Sequence, residues 1–335
     1  MTLAGAEVVE PVAAQRVTGL GFGDLPGWAG DDHAAALQAF LTTCDLLDDE
    51  DWAETARLAR EADPERARAF FEARFRPVRI EDGSPPLFTG YYEPEIEGAL
   101  GSSGRFPVPL YRLPPEAPSG RPWLARAEIE DGALAGRGLE IAWLEDPVEA
   151  FFLQVQGSGR VRLPDGRVLR LGYAGKNGHP YASVGRMLIE QGALGVGEAT
   201  ADAVRGWLRR HPEEGRAVMR ANASFVFFRE LDLPPELGPL GVLGRPVTPL
   251  RSLAVDPAHV PLGAPVWIET EGAERLRRLM VAQDVGGAIK GAQRADIYVG
   301  TGAEAGQRAG RIRDGGRMVV LLPVQRALAL LAGPS

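Results

Sequence analysis

Three aspartates near the end of the chain stand in contexts that suit acid–base chemistry. Asp256 lies in Leu-Ala-Val-Asp-Pro, Asp284 in Val-Ala-Gln-Asp-Val-Gly-Gly and Asp296 in Arg-Ala-Asp-Ile-Tyr. Asp284 ends one predicted strand and Asp296 begins another, and if these strands are neighbours their carboxylates lie at the same end of a sheet. Beside glycines that let a substrate approach the backbone, such groups suit catalysis, but aspartate is also a common turn former. Spacing alone leaves both interpretations open.

Other catalytic and ligand-binding motifs are incomplete. Residues 296–306 have the strand and glycines of a dinucleotide fingerprint, but the following strand ends at 323–325 without the acidic residue that holds a ribose. The four histidines lack a second ligand at i+3 or i+4, and Cys44 is the single cysteine. We therefore predict no metal, no nucleotide and no cofactor. Asp284-Val-Gly has no second copy, as an aspartic protease would need.

The composition indicates a folded, turn-rich protein of about two domains. Glycine and proline contribute 42 and 27 of the 335 residues, which favours short strands and many connections. The formal charge of −8 and the lack of a basic run argue against nucleic acid as a partner. No apolar run is long enough to span a membrane, and the N-terminus lacks the basic-then-apolar pattern of an export signal.

Hydrophobic periodicity predicts helices first and mainly strands afterwards. Helices are predicted within 31–75, with Asp31, Asp49 and Asp63 as N-terminal signals. The middle of the chain is predicted to contain helices at 183–191, at 200–211 and before Asn222, and strands at 87–92, 108–111, 151–155, 160–171 (a hairpin) and 224–228. From Gly238 onward, short strands between turns indicate a small barrel; they are predicted at 253–255, 265–269, 278–283, 297–299 and 318–322.

Seven sequence blocks, in order, resemble those of the membrane-bound lytic murein transglycosylase A family, which has a C-terminal three-aspartate domain. The blocks are 88–94, 152–160, 172–178, 222–228, 248–252, 284–291 and 296–298. The resemblance implies a mainly β fold with a helical N-terminal part. It further implies a double-psi β-barrel domain built from 1–95 and 238–335, an inserted smaller β-domain at 96–237, and a glycan groove between the two.

The resemblance also implies an activity. Members cleave the β-1,4 bond between N-acetylmuramic acid and N-acetylglucosamine in peptidoglycan without water, and leave a 1,6-anhydromuramyl end. The aspartate of the Asp-Ile-Tyr motif, here Asp296, is the family's acid and then its base, and Asp256 and Asp284 match its two companions. A single proton-transferring carboxyl can suffice because the C6 hydroxyl of the same sugar replaces water as the nucleophile.

The matching blocks supply aromatic, amide and hydroxyl groups for sugar binding, and glycines for close backbone approach. The candidates are Thr89, Gly90, Tyr91, Tyr92, Gln154, Gln156, Gly157, Ser158, Gly159, Tyr173, Asn177, Gly287 and Lys290. About half of these are expected to be core or turn residues. Tyr91 and Tyr92 are adjacent on a strand and point to opposite faces, so we expect only one of them to contact sugar.

Two alternatives remain open from the sequence. The protein could be a hydrolase on the same glycan, with Asp284 or Glu93 positioning water, or a non-catalytic scaffold that binds the cell wall. The substrate places the protein in the cell envelope, on the periplasmic side, with the outer membrane as a candidate site of association. We expect a monomer whose partners are peptidoglycan strands, with the envelope machinery of peptidoglycan synthesis as a further candidate partner.

Overall fold

The computed structural model describes residues 15–47, 49–118 and 120–332. Their packing divides the chain into two compact units. The first contains the chain up to Phe88, then Leu253–Ala295, and the chain from Asp314 onward; the second contains Thr89–Ser252 and Asp296–Arg313. The boundaries of these units differ from those of the predicted domains, which were placed at 95/96 and 237/238. Residues 1–14, on which the expectation about an export signal rests, lie outside the described residues.

The first unit combines helices with a sheet. Its helices are α1 (His33–Leu41), α2 (Glu50–Glu61), α3 (Ala67–Arg74) and α10 (Val324–Ala332), with short 3-10 turns at Phe22–Asp24, Trp28–Gly30, Cys44–Leu46 and Pro64–Arg66. Its strands are β1 (Arg16–Gly19), β2 (Phe75–Glu81), β11 (Pro265–Thr270), β12 (Arg277–Asp284) and β15 (Gly316–Pro323). Four further strands begin in one unit and end in the other: β3 (Leu87–Glu93), β10 (Ser252–Val255), β13 (Arg294–Thr301) and β14 (Arg313–Asp314).

The predicted N-terminal signals of the helices are confirmed with one correction. The Asp49 carboxylate accepts a hydrogen bond from the backbone N–H of Trp52 and so caps α2. α1 is capped by Asp32, one residue after the predicted Asp31. The Asp31 carboxylate instead accepts from the backbone N–H of Leu279, so it joins the helical region to a strand.

The core of the first unit lies between the helices and the sheet. β11 pairs antiparallel with both β12 and β15, and this register places Leu279 and Val319 opposite Trp267. All three side chains are fully buried. Phe40 from α1 meets Phe75 of β2 edge to face, with ring centroids 5.9 Å apart. The helical face therefore covers the sheet with aromatic rings.

The strands that carry Asp284 and Asp296 are not neighbours, so the condition for placing both carboxylates at one sheet end is not met. Within the strand order β1-β2-β15-β11-β12-β10, the neighbours of β12 are β11 and β10. Asp284 ends β12 as predicted, but β13, which carries Asp296, is not beside it. The two aspartates are therefore not brought to one sheet end by direct strand pairing.

The second unit contains a separate sheet and, among the described residues, the remaining helices. The sheet order is β5-β6-β4-β7-β8-β9, in which β4 and β7 are parallel. Its strands are β4 (Glu95–Ala99), β5 (Val108–Tyr111), β6 (Glu140–Leu144), β7 (Gly159–Arg162), β8 (Val168–Lys176) and β9 (Val226–Glu230). Its helices are α4 (Arg126–Glu128, continued by a π turn at Ile129–Ala133), α5 (Pro147–Gln156), α6 (Val184–Glu190), α7 (Ala201–Arg210), α8 (Pro212–Ala221) and α9 (Gly302–Arg311).

The predicted strand at 151–155 is wrong, because this segment belongs to α5. Asp146 caps the helix by accepting from the N–H of Val148, and Pro147 occupies the first helical position. Gly157 ends it in the left-handed conformation, with φ of 77°. The predicted hairpin after it is confirmed as the antiparallel pair β7–β8.

Arg126 lies inside the second unit and joins three parts of it. Its side chain is 3% exposed, and its guanidinium donates to the carbonyl oxygens of Asn222 and Ser224 and to the side-chain oxygen of Gln154. It lies over the Phe151 ring, 4.7 Å from the centroid. Burial lowers the pKa of Arg126, while the neighbouring Glu130 carboxylate opposes that effect. The guanidinium is thus the buried charged centre of a group of polar contacts inside the second unit.

The fold is mainly β with helices, as predicted. No closed barrel is found among the strands of the part of the chain that the structure describes. Over the same residues, no helix is both long enough and apolar enough to cross a bilayer.

Candidate functional site

Asp296 is held by a hydroxyl group in the second unit. It lies on β13, which neighbours β3, and the Thr89 hydroxyl on β3 donates to an Asp296 carboxylate oxygen at 2.7 Å. Both side chains are partly buried. The contact joins residues 207 positions apart in sequence. Pairing of these two strands therefore places a predicted binding residue against the predicted acid–base.

The other end of the same strand pair is locked by Glu93. Its carboxylate accepts from the Thr301 hydroxyl of β13 at 2.9 Å and forms ion pairs with Arg160 at 2.8 Å and Arg170 at 3.1 Å. Glu93 is only 1% exposed. Because both oxygens are bonded inside the protein, this carboxylate is unsuited to positioning water, which argues against the hydrolase alternative that uses Glu93.

Two tyrosines flank the strand pair from opposite faces of β3. The Tyr91 ring lies 5.3 Å from the ring of Tyr298 on β13. Burial raises the pKa of Tyr298 to about 12, and its hydroxyl contacts that of Thr301 at 3.2 Å. On the other face, the Tyr92 hydroxyl accepts from the Arg205 guanidinium at 3.2 Å. Burial also raises the pKa of Tyr92, although Arg205 opposes that effect.

Two of the glycines predicted for substrate approach are required by packing. A Cβ at Gly90 would lie 2.8 Å from the Ala309 Cα, so α9 and β3 approach as closely as glycine allows. A Cβ at Gly159 would lie 2.3 Å from a methyl group of Leu153. The left-handed Gly157 ends α5, as described above.

The amides predicted to bind sugar divide into buried and accessible groups. Gln154 is buried against Arg126, and Asn177 is fully buried. The Asn177 side chain donates to the carbonyl oxygens of Leu124 and Ala223 and accepts from the N–H of Phe225. These two amides hold the second unit together. Among the other candidates, Gln156 and Ser158 are partly buried and Tyr173 is 50% exposed.

The Asp256 side chain is hydrogen-bonded to the backbone of the glycine-rich loop at 286–291 in the first unit. Its carboxylate accepts from the N–H groups of Gly291 at 3.0 Å and Ala258 at 3.2 Å, and Lys290 lies 3.6 Å away. Burial alone would raise the pKa of Asp256, but these N–H donors and the Lys290 ammonium outweigh burial and lower it. The carboxylate is thus kept ionised, and its bonds to backbone N–H groups are those that the structural alternative for this residue predicts.

Asp82 is a loop-holding residue that the sequence analysis missed. Its carboxylate accepts from the N–H groups of Ala292 at 2.9 Å and Ser84 at 3.0 Å, so it holds the residue next to Gly291, at the same end of the loop that Asp256 holds. Burial alone would raise the pKa of Asp82, but these hydrogen bonds outweigh burial and lower it. The Asp82-Gly-Ser turn was the available sequence signal, since aspartate commonly bonds the backbone two residues on.

Asp284 and Gly287 occupy the accessible part of that loop region. An Asp284 carboxylate oxygen accepts from the N–H of Val285 at 2.9 Å, and the residue is partly buried. Gly287 is exposed, and a Cβ there would meet open space. Within residues 15–47, 49–118 and 120–332, no group of three histidine, cysteine or acidic residues could hold a metal ion.

Comparison with known proteins identifies the family. Residues 87–229 match the MltA specific insert domain, and residues 251–322 match the 3D domain. The crystal structure of a membrane-bound lytic murein transglycosylase from Agrobacterium tumefaciens superposes with a TM-score of 0.85 at 34% identity, and the match covers 93% of this chain and 99% of that one. This chain belongs to the MltA family.

Other MltA relatives agree over most of the chain. The membrane-bound lytic murein transglycosylase A of Escherichia coli K12 is 41% identical over 245 residues, which are 70% of this chain. The match spans 65% of that relative's length. The crystal structure of E. coli MltA with bound chitohexaose has a TM-score of 0.72 and 31% identity, and 91% of each chain is covered. All three candidate catalytic aspartates lie in the region that matches the 3D domain.

Proposed function

We propose that this protein is a peptidoglycan lytic transglycosylase in which Asp296 is first the acid and then the base. The bond cleaved is the β-1,4 linkage between N-acetylmuramic acid and N-acetylglucosamine, and the product is a 1,6-anhydromuramyl end. Membership of the MltA family supports the reaction class, and the chitohexaose bound to the E. coli protein supports a glycan substrate. The contact between Thr89 and Asp296 is the observation that carries the assignment of the acid–base.

A hydroxyl partner suits a residue that must change protonation state. The Thr89 hydroxyl can donate to an Asp296 carboxylate and can accept from the protonated carboxyl group, since its hydrogen is free to rotate. Asp296 would donate its proton to the glycosidic oxygen, and the C1–O bond would break towards an oxocarbenium-like sugar. The resulting carboxylate would take the proton of the C6 hydroxyl as that oxygen bonds to C1. No water is consumed in this sequence.

One proton-transferring carboxyl is sufficient because the nucleophile is tethered to the substrate. Intramolecular attack gives an effective concentration far above that of a free reactant, and it contributes several kcal/mol to lowering the barrier. Glu93, the other carboxylate of this strand pair, is bonded to two arginines and a threonine. This arrangement favours the transglycosylase over a hydrolase that uses Glu93 to activate water.

We assign different roles to the two companion aspartates. Asp256 fixes the loop at 286–291 through the N–H of Gly291 and the Lys290 ammonium, and we propose that it acts through that loop rather than on sugar. Asp284, at the end of β12, is proposed to support the positive charge of the oxocarbenium-like state. Tyr91, Gln156, Ser158, Tyr173 and Gly287 are the candidate binding residues that we retain for contact with the glycan.

The proposal extends to the architecture and the location. Residues 1–95 and 238–335 are proposed to form a double-psi β-barrel domain and residues 96–237 the inserted β-domain. Action on peptidoglycan places the protein on the periplasmic side of the envelope. The relatives' name, membrane-bound, supports association with a membrane, and the outer membrane is our candidate. A monomer and contact with peptidoglycan-synthesis enzymes remain part of the same hypothesis.

Replacement of Asp296 by asparagine tests the assignment. Loss of general acid–base catalysis is expected to lower turnover of cell-wall sacculi by about 10²–10⁴-fold, while chitohexaose binding measured by calorimetry is retained. Asp165→Asn is the matched control, since Asp165 lies in the exposed turn between β7 and β8 and its loss should leave turnover unchanged. An Asp296→Asn enzyme with near-normal turnover would refute the assignment.

A further inference from the structure

A cavity of about 340 Å³ lies in the second unit, beside the residue that holds Asp296. Its walls come from α6, from the segment that leads into α7, from the end of α9 and from Thr89 on β3. This volume is within the range of small-ligand sites. Thr89 therefore connects the cavity with the candidate acid–base: its hydroxyl donates to Asp296, and the residue forms part of the cavity wall.

The cavity combines positive charge with exposed apolar surface. Arg313 lines it, is exposed, and pairs with no carboxylate among the residues that the structure describes. Arg186 lines the cavity as well and forms an ion pair with Glu190 at 3.1 Å. Val196 on the same wall is 83% exposed, and Ile189 provides a second apolar side chain. Such a lining suits a ligand that has both a carboxylate and alkyl groups.

We propose that this cavity is a subsite for the acidic peptide stem of the muramyl unit, with Arg313 pairing with a stem carboxylate. The inference rests on the proposed function and names the substrate more closely, as stem-bearing glycan. The sugar rings are uncharged, so the free guanidinium matches the stem and not the rings. The stem leaves the muramyl ring through the lactyl group on C3, so a ring whose C1 is at Asp296 keeps its stem close to Thr89.

The test compares glycan strands that carry stems with strands from which an amidase has removed them and whose newly exposed lactyl carboxylates have been capped as N-methylamides, so that the stem-free strands carry no anion. For the wild type, KM is expected to be about two- to fivefold lower on stem-bearing strands, the range typical of an accessible charge pair. Arg313→Gln should raise KM on stem-bearing strands to the stem-free value and leave kcat and the stem-free KM unchanged. Arg121→Gln is the matched control, because Arg121 is also exposed and does not line the cavity.

The results separate this inference from the proposed function. Equal wild-type KM values on the two substrates, or an Arg313→Gln variant that changes KM equally on both, would overturn the stem subsite. If the wild type cleaves neither substrate, the proposed function fails, and a binding assay then tests whether the stem subsite exists. In that assay, a synthetic stem tripeptide with a free diaminopimelate carboxylate is titrated in NMR experiments. Binding that Arg313→Gln weakens supports the subsite, and no binding refutes it.

Discussion

Asp296 in the second unit and Asp256 in the first are members of one three-aspartate pattern, but their surroundings differ. Asp296 contacts a hydroxyl group, which accepts or donates as the carboxyl changes state. Asp256 faces backbone N–H groups and an ammonium, all of which can only donate. The comparison teaches that the partner, more than the aspartate itself, decides whether a carboxyl can exchange a proton or only hold a loop.

Glu93 extends the comparison, since its partners are cations. Glu93→Gln is expected to lower the free energy of unfolding by about 3–5 kcal/mol, because Arg160 and Arg170 lose their charged partner in a buried site. Urea denaturation monitored by circular dichroism measures this change. Glu95→Gln on the adjacent strand is the control, because its ion pair with Arg162 is exposed and its loss should cost under about 1 kcal/mol. A stable but inactive Glu93→Gln protein would instead favour water activation by Glu93.

Asp256→Asn sharpens the contrast between structure and catalysis. An amide NH₂ would face a backbone N–H that now donates to a carboxylate, so we expect a loss of about 1–3 kcal/mol in stability. At temperatures well below its melting point the variant should retain measurable turnover on sacculi, unlike Asp296→Asn. If Asp256→Asn melts like the wild type but is inactive, Asp256 acts on the substrate.

The pH dependence of the same variant follows from the lowered pKa of Asp256. A carboxyl whose pKa is lower in the folded state stabilises the fold fully above its ordinary value of 3.8, and this contribution is lost as the pH falls through the folded value. The stability difference between wild type and Asp256→Asn should therefore be constant at neutral pH and shrink below about pH 3.8. A difference that grows on acidification would contradict the lowered pKa.

Thr89→Val makes the smallest of these changes and tests the hydroxyl contact itself. The valine side chain has nearly the same shape but cannot hydrogen-bond, so we expect kcat to fall about tenfold, which corresponds to one ordinary hydrogen bond. Thr89→Ser keeps the hydroxyl and should restore most of kcat. If Val and Ser behave alike, the hydroxyl has no part in proton transfer.

Local signals in the sequence predicted much of the fold. The aspartate caps of α2 and of the turn at Pro64–Arg66, and the β7–β8 hairpin, depend on residues close in sequence, and they were found. The failure at α5 was also local, since Asp146-Pro147 before the segment and Gly157 after it are helix signals that outweigh its β-like composition.

The site depends on contacts that no local pattern contains. Thr89 and Asp296 are 207 residues apart, and only the pairing of β3 with β13 brings them together. The buried roles of Gln154 and Asn177 follow in the same way from distant backbone groups and from Arg126. Family resemblance singled out the three aspartates, whereas their hydrogen-bond partners could be read only from the structure.

Digestion of sacculi by the wild-type protein in oxygen-18 water tests the central claim most directly. Attack by the C6 hydroxyl predicts muramyl ends that carry no oxygen-18 and are lighter than reducing ends by the mass of one water, as read by mass spectrometry. Reducing muramyl ends that contain oxygen-18 would show that water is the nucleophile and would contradict the account.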